Sequence, residues 1–162
     1  MKIYKHSHVQ QVQDFYGDLL RDFYENYSIK EHLKLLAERL WEGMQNQNEV
    51  VAIELSNYHP DYLGKNWKDI SSKSLDKADA LRCIAAQYGF GEWQDIEGLD
   101  EQNYNLNFER LVDHVLKGKI SEVKSLLEAQ PKLIHQKSSY GHQASNLHYC
   151  ASKGLELWRH QV

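Results

Sequence analysis

Apolar residues recur at steps of three and four from the start of the chain. Between residues 7 and 27 the stripe is Val9, Val12, Tyr16, Leu19, Leu20, Phe23 and Tyr27, with Asp14, Asp18, Arg21, Asp22 and Glu25 off it. That spacing predicts an amphipathic helix. Ser28 then reads as an N-cap, and Glu31 three residues on completes a capping box. A second helix follows with Ile29, Leu33, Leu36, Leu40 and Met44 along one face. The abrupt cap between the two predicts an antiparallel pair.

EVVAIEL, residues 49 to 55, reads two ways. Val51, Ile53 and Leu55 alternate as in a strand, and Val and Ile favour strands. A lone strand is unstable, and no second one offers itself for pairing, so a short helix is the chosen reading. It ends before Asn57-Tyr58-His59-Pro60, because the residue before proline avoids helical angles. DYLGKNWKDISSKS, residues 61 to 74, is the best loop candidate. Residues 75 to 88 return to helix with Leu81, Ile84, Ala85 and Tyr88 inward, and Gly89 suits the left-handed position past its end. A short helix from Gly91 to Leu99 carries Trp93 and Ile96.

A soft boundary falls near residue 103, giving an N-terminal helical region, 1–103, and a second region, 104–162. From Asn107 the pattern becomes short helices in pairs. Phe108, Leu111, Val112, Val115 and Leu116 form one stripe, closed by Gly118. Ile120, Val123, Leu126 and Leu127 form the next, closed by Pro131. The turn-rich KSSYGHQAS leads to LHYCASKG. Gly118 and Gly154 are 36 residues apart, as are Leu111 and Leu147. A period of ~33 residues marks helical-hairpin repeats.

The region from Asn107 to Gly154 resembles an ankyrin repeat and the opening of a second. Ser145-Asn146-Leu147-His148-Tyr149-Cys150 stands where that family has T-P-L-H-x-A, with Ala151 and Gly154 in register. Gly118-Lys119-Ile120-Ser121-Glu122-Val123-Lys124-Ser125-Leu126-Leu127 is similar to the family's second-helix pattern. Asn146 replaces the usual proline and Cys150 the usual alanine. ALRCIAAQYGFGEWQDIEGL, from Ala80 to Leu99, resembles a helical segment that precedes the repeats in some bacterial ankyrin-repeat proteins. The resemblance implies an all-α fold, a helical N-terminal block followed by ankyrin-like hairpins in a short α-solenoid. It implies that His148 fixes the turn before its helix and that Cys150 packs as a small residue. It also implies that the loop between repeats, Lys137, Ser138, Ser139, Tyr140, Gly141, His142 and Gln143, carries partner contacts. Such arrays need about three repeats, and this chain holds roughly one and a half. The array is therefore expected to be incomplete at LELWRHQV, with apolar surface around Leu147, Leu155, Leu157 and Trp158 open to self-association.

Composition supports the helical reading: the 162 residues include two prolines and nine glycines, so breaks are few. Net charge is −4, and lysine and arginine are interleaved with acids throughout. Nucleic-acid binders carry a basic stripe, so nucleic acid is not an expected partner. The N-terminus has no apolar leader, no run reaches the ~20 residues of a membrane span, and the two cysteines form no C-x-x-C pair. A bacterial cytoplasmic protein is the expectation.

Candidate chemistry is sparse. His148 and Cys150 are two apart on a helix and face different ways, so they do not share an ion. His6, His8, His59, His114, His135, His142 and His160 show no H-E-x-x-H spacing. Asp14/Asp18, Asp22/Glu25 and Glu97/Asp100 have helical spacing but sit on polar stripes. GFGEW has G-x-G without a third glycine or a preceding strand. Phe15 and Tyr24 edge the first stripe and are the best exposed aromatics. No catalytic, metal or cofactor residue is assigned. The expected function is a non-catalytic protein-interaction or scaffold module with a protein partner and no membrane contact. A helical enzyme, or a metal or small-molecule sensor using the N-terminal helices or the histidines, stays as the alternative.

Overall fold

A computed structural model describes residues 7–20, 27–100 and 104–151. Among them the fold is all-helical: there is no strand, and one isolated antiparallel bridge joins Lys137 to Ser145. The elements are α1 (Ser7–Tyr16), a 3-10 turn (Gly17–Leu20), α2 (Ile29–Gln45), α3 (Glu49–Tyr58), α4 (Trp67–Ser71), α5 (Lys77–Gln87) and α6 (Trp93–Glu97). Then come α7 (Leu106–Leu116), α8 (Ile120–Ala129), a second 3-10 turn (Pro131–His135) and α9 (Asn146–Ala151).

The first stripe buries Val9, Val12, Tyr16, Leu19 and Leu20, but not on one helix. Gly17 takes φ +58, a left-handed value that ends α1 and starts the 3-10 turn. Phe23 and Tyr24 lie outside the described residues, and Tyr27 is exposed. Phe15 is half-buried and packs on the core. Residues 17–28 separate α1 from α2, enough chain to part them: α1 packs on α3, and α2 packs along α5. The antiparallel α1–α2 pair is thus replaced by two other pairings.

α2 follows its sequence signals. The Ser28 amide donates to Glu31 Oε2 at 3.0 Å, and the Glu31 amide donates to Ser28 Oγ at 3.3 Å. Those bonds from Ser28 hold the Glu31 carboxyl below its usual range. Ile29, Leu33, Leu36, Leu40 and Met44 are all buried; each such side chain contributes about 1.5–3 kcal/mol. The ambiguous 49–55 stretch is helical in α3, capped by Asn48, and buries Val50, Val51, Glu54 and Leu55. The expected 61–74 loop contains α4. Asn66 caps it by accepting from the Asp69 amide, and Ile70 fills the core.

Two apolar clusters result. One gathers α1 to α6, with Leu33, Leu40, Val51, Leu55, Ile70, Ile84 and Ile96 at its centre. The other holds Phe108, Leu111, Val112, Leu133, Ala144 and Tyr149. α7 buries its stripe, whereas α8 has no fully buried residue and leaves Ile120 69% exposed. On α9 the inward residues are Asn146 and Tyr149, three apart; Leu147 is 74% exposed, and His148 and Cys150 are exposed too. Asn146 sets that rotation by donating its side-chain amide to the Leu133 carbonyl at 3.3 Å. The expectation that Cys150 packs as a small core residue is corrected on this ground. Gly154 and the Ala151 side chain lie outside the described residues.

Ser28→Ala removes one half of the α2 cap. It is expected to lower stability by about 0.5–2 kcal/mol in urea denaturation; an unchanged midpoint contradicts the cap's role.

Candidate functional site

The seam between the two clusters is built by the loop at 137–143. Gln136 and Lys137 leave the second 3-10 turn, and the Ser138 amide donates to the Ala144 carbonyl at 2.8 Å. The loop closes with Gln143 at φ 48, its amide donating to the Tyr140 carbonyl at 2.9 Å. Glu109, fully buried on α7, shapes the inside. Its Oε1 accepts from Ser138 Oγ at 3.0 Å and from the Ser139 amide at 3.2 Å. The Tyr140 amide donates to Ser138 Oγ at 3.2 Å, and the Asn105 amide reaches Ser139 Oγ at 3.4 Å. Burying these groups without partners would be costly, so the network fixes one loop conformation.

The loop then inserts into the helical block. Tyr140 is 1% exposed and belongs to the first cluster. Its ring lies 5.0 Å from that of Tyr88, and its hydroxyl is 3.1 Å from His32 Nδ1. His32 Nε2 is 2.6 Å from the Leu19 carbonyl. A carbonyl only accepts, so the proton sits on Nε2 and Nδ1 accepts the Tyr140 hydroxyl. His142 works the same way in reverse. Its Nδ1 faces the Tyr88 carbonyl at 3.4 Å, and its Nε2 faces the Tyr149 hydroxyl at 2.8 Å. Gly89 and Gly141 let the backbones meet. Gly89 has φ +77, a Cβ on it would run into the His142 backbone, and one on Gly141 would run into the Gly89 carbonyl.

The loop expected to meet a partner is therefore largely consumed inside the chain. Ser138 and Tyr140 are buried, Ser139, Gly141 and His142 are half-buried, and Lys137 and Gln143 remain exposed. His148 sits beyond the loop, where its Nδ1 accepts from the Ser145 amide at 3.1 Å and closes the turn before α9. Gly118 ends α7 at φ +65. Beside the seam lies a cavity of about 290 Å³, walled by Ile29, Leu99 and Tyr104 with Ser28, Lys30 and Ser139 at its edge.

Two further polar clusters sit in the helical block, and the sequence marked neither as a site. His59 is buried at the end of α3; its Nδ1 accepts from the Asp61 amide at 3.2 Å, and its Nε2 is 3.4 Å from Asp79 Oδ1. Burial pushes this imidazole below its ordinary range. With Nδ1 spent on a backbone amide, the pair is a pin between α3 and α5. Glu54 is buried between α1, α3 and α5, accepting the Tyr16 hydroxyl at 3.0 Å. In the sequence it is marked by its place in an apolar run, between Ile53 and Leu55. Among the described residues no three of His, Cys, Asp and Glu are placed to hold a metal ion, and no helix is long and apolar enough to cross a membrane.

No family model matches the chain, and no curated protein or solved structure does either. The likeness to ankyrin repeats rests on the residues quoted above.

Tyr140→Ala empties the socket and is expected to cost roughly 3–5 kcal/mol. Hydrogen exchange at the Ser138 and Gln143 amides should rise sharply, while amides in the middle of α2 respond less. Equal acceleration throughout would show that the loop is not a separate latch.

Proposed function

We propose that the chain is a non-catalytic protein-interaction module, built as a helical block that holds an ankyrin-like hairpin in a fixed orientation. The observation that carries this reading is the uncovered apolar surface of the C-terminal unit. Of the four α8 stripe residues, Val123, Leu126 and Leu127 pack partly on the second cluster, and Ile120 stands clear of it. Ile120, Ile134 and Leu147 are 69%, 49% and 74% exposed. Exposed large apolar groups that gather in one unit mark interaction surfaces more than scattered single ones do. In a stack of helical hairpins such a surface is covered by the neighbouring unit.

The buried loop shifts where contact occurs. With Tyr140 and Ser138 turned inward, the contacting groups are Ile120 at the start of α8, Ile134, Leu147 on α9, and the exposed Lys137 and Gln143. The partner is a protein, in keeping with a bacterial cytoplasmic setting, and self-association through the same face is part of this reading. A second reading, small-molecule sensing, is favoured by the 290 Å³ seam cavity with its apolar walls.

Ile120→Glu with Leu147→Glu tests the first reading, because both side chains are exposed and the substitutions leave the core intact. The paired variant should lose the partner, or the self-association seen by sedimentation, that the unmodified chain shows. Leu63→Glu, at another exposed apolar site on the block, should keep it. Identical behaviour of all three proteins would overturn the assignment.

A further inference from the structure

Glu54 holds a fully buried carboxyl with one oxygen left unpartnered. Oε2 accepts the Tyr16 hydroxyl from α1 at 3.0 Å. Oε1 is buried and has no partner, and Gln87 Oε1 on α5 is buried without one as well. The Gln87 amide stands beside the carboxyl. Glu54 Oε1 thus lies without a partner in a site sealed from water, where an ionised carboxyl is costly and a protonated one is not. Among the described residues no cation offsets the ionised alternative. The titratable groups around Glu54 are Tyr16 from α1 and Cys83 from α5, whose thiol donates to the Glu54 carbonyl at 3.5 Å. Tyr88 acts on Tyr16, and Asp79 acts on Cys83. From α2, Arg39 turns to the Phe15 carbonyl and lies near Glu42; from α4, Lys68 and Asp69 are exposed. Burial pushes the Tyr16 hydroxyl and the Cys83 thiol well above their ordinary values, so both stay neutral.

We propose that Glu54 is a proton-operated switch in the core of the helical block: its carboxyl, buried beside the Tyr16 hydroxyl and the Gln87 amide, carries a proton, and losing that proton loosens α3 from α1 and α5. A buried carboxylate without a cation is costly, and the chain lowers that cost by opening to water. The consequence extends to the seam. Gln87 is the last residue of α5, and Tyr88 directly after it forms the floor of the Tyr140 socket. The switch thus sits one residue from the contact that joins the two units.

The sign of the pH dependence follows. Burial raises Glu54 to about 7, against 4.5 for the unfolded chain. Its stabilising share is full below the unfolded value, falls as pH rises from there, and is gone once pH passes about 7. Native-state opening follows the folded value and therefore appears around neutral pH. His59, lowered by burial, acts oppositely: its share is present above the ordinary imidazole range and is lost as pH falls.

Glu54→Gln isolates the switch, since its neutral amide keeps the shape and supplies a donor. Between pH 5.5 and 8 the unfolding constant of the unmodified protein should rise on the order of tenfold more than that of E54Q. Carbon-13 NMR of the Glu54 carboxyl in the unmodified chain gives a reading that does not depend on the variant folding. Titration near neutral pH supports the proposal; titration near 4.5, or the same pH dependence in both proteins, overturns it.

Discussion

Tyr140 leaves a polar loop and ends in the core of a different part of the chain. Its hydroxyl meets His32 and its ring lies on Tyr88, while Glu109 holds the loop from behind. The helical block and the C-terminal hairpin each bury their own apolar cluster, and this side chain links them. Because the Leu19 carbonyl sets the His32 tautomer, the acceptor for the hydroxyl is oriented from within the helical block. The two glycines at the contact let the backbones approach at a distance that any Cβ would prevent. An orientation fixed by packing and several buried hydrogen bonds together is harder to slip than one fixed by packing alone.

Polar groups inside this fold sit at joints. His59 pins α3 to α5, Glu54 lies among α1, α3 and α5, Asn146 sets the rotation of α9, and Glu109 organises the loop. Each ties elements distant in sequence, and each would be costly to bury unpaired. Glu54 Oε1 and Asn146 Oδ1 are each left without a donor. The block's stability and the seam's geometry therefore share an element, the end of α5.

Local signals in the sequence explain the helices well. α2 has both a five-residue apolar stripe and a complete capping box, and its start and face agree with them. α4 is hidden in the sequence although Asn66 and Asp69 form a cap signature, because five residues are too few for a visible period. α1 stops early because a left-handed Gly17 outweighs a stripe that runs on past it. The seam was not legible. Tyr140 and His32 are 108 positions apart, and no local pattern distinguishes a tyrosine that docks into a core from one on a solvated turn. Leu147 and Tyr149 show the same limit: either could face inward from a short helix, and the distant contacts of Asn146 with Leu133 and of Tyr149 with His142 decide it.

The proposed outward role of the hairpin rests on the exposed Ile120, Ile134 and Leu147, and the inward loop would give it a fixed position. The claim on which this depends is that His32 and Tyr140 act as one unit. A double-mutant cycle with His32→Ala and Tyr140→Phe, read by urea denaturation, measures it most directly. Coupled groups of this kind show an interaction energy of about 0.5–3 kcal/mol. A value in that range is the predicted result, and strictly additive single and double variants would contradict the account.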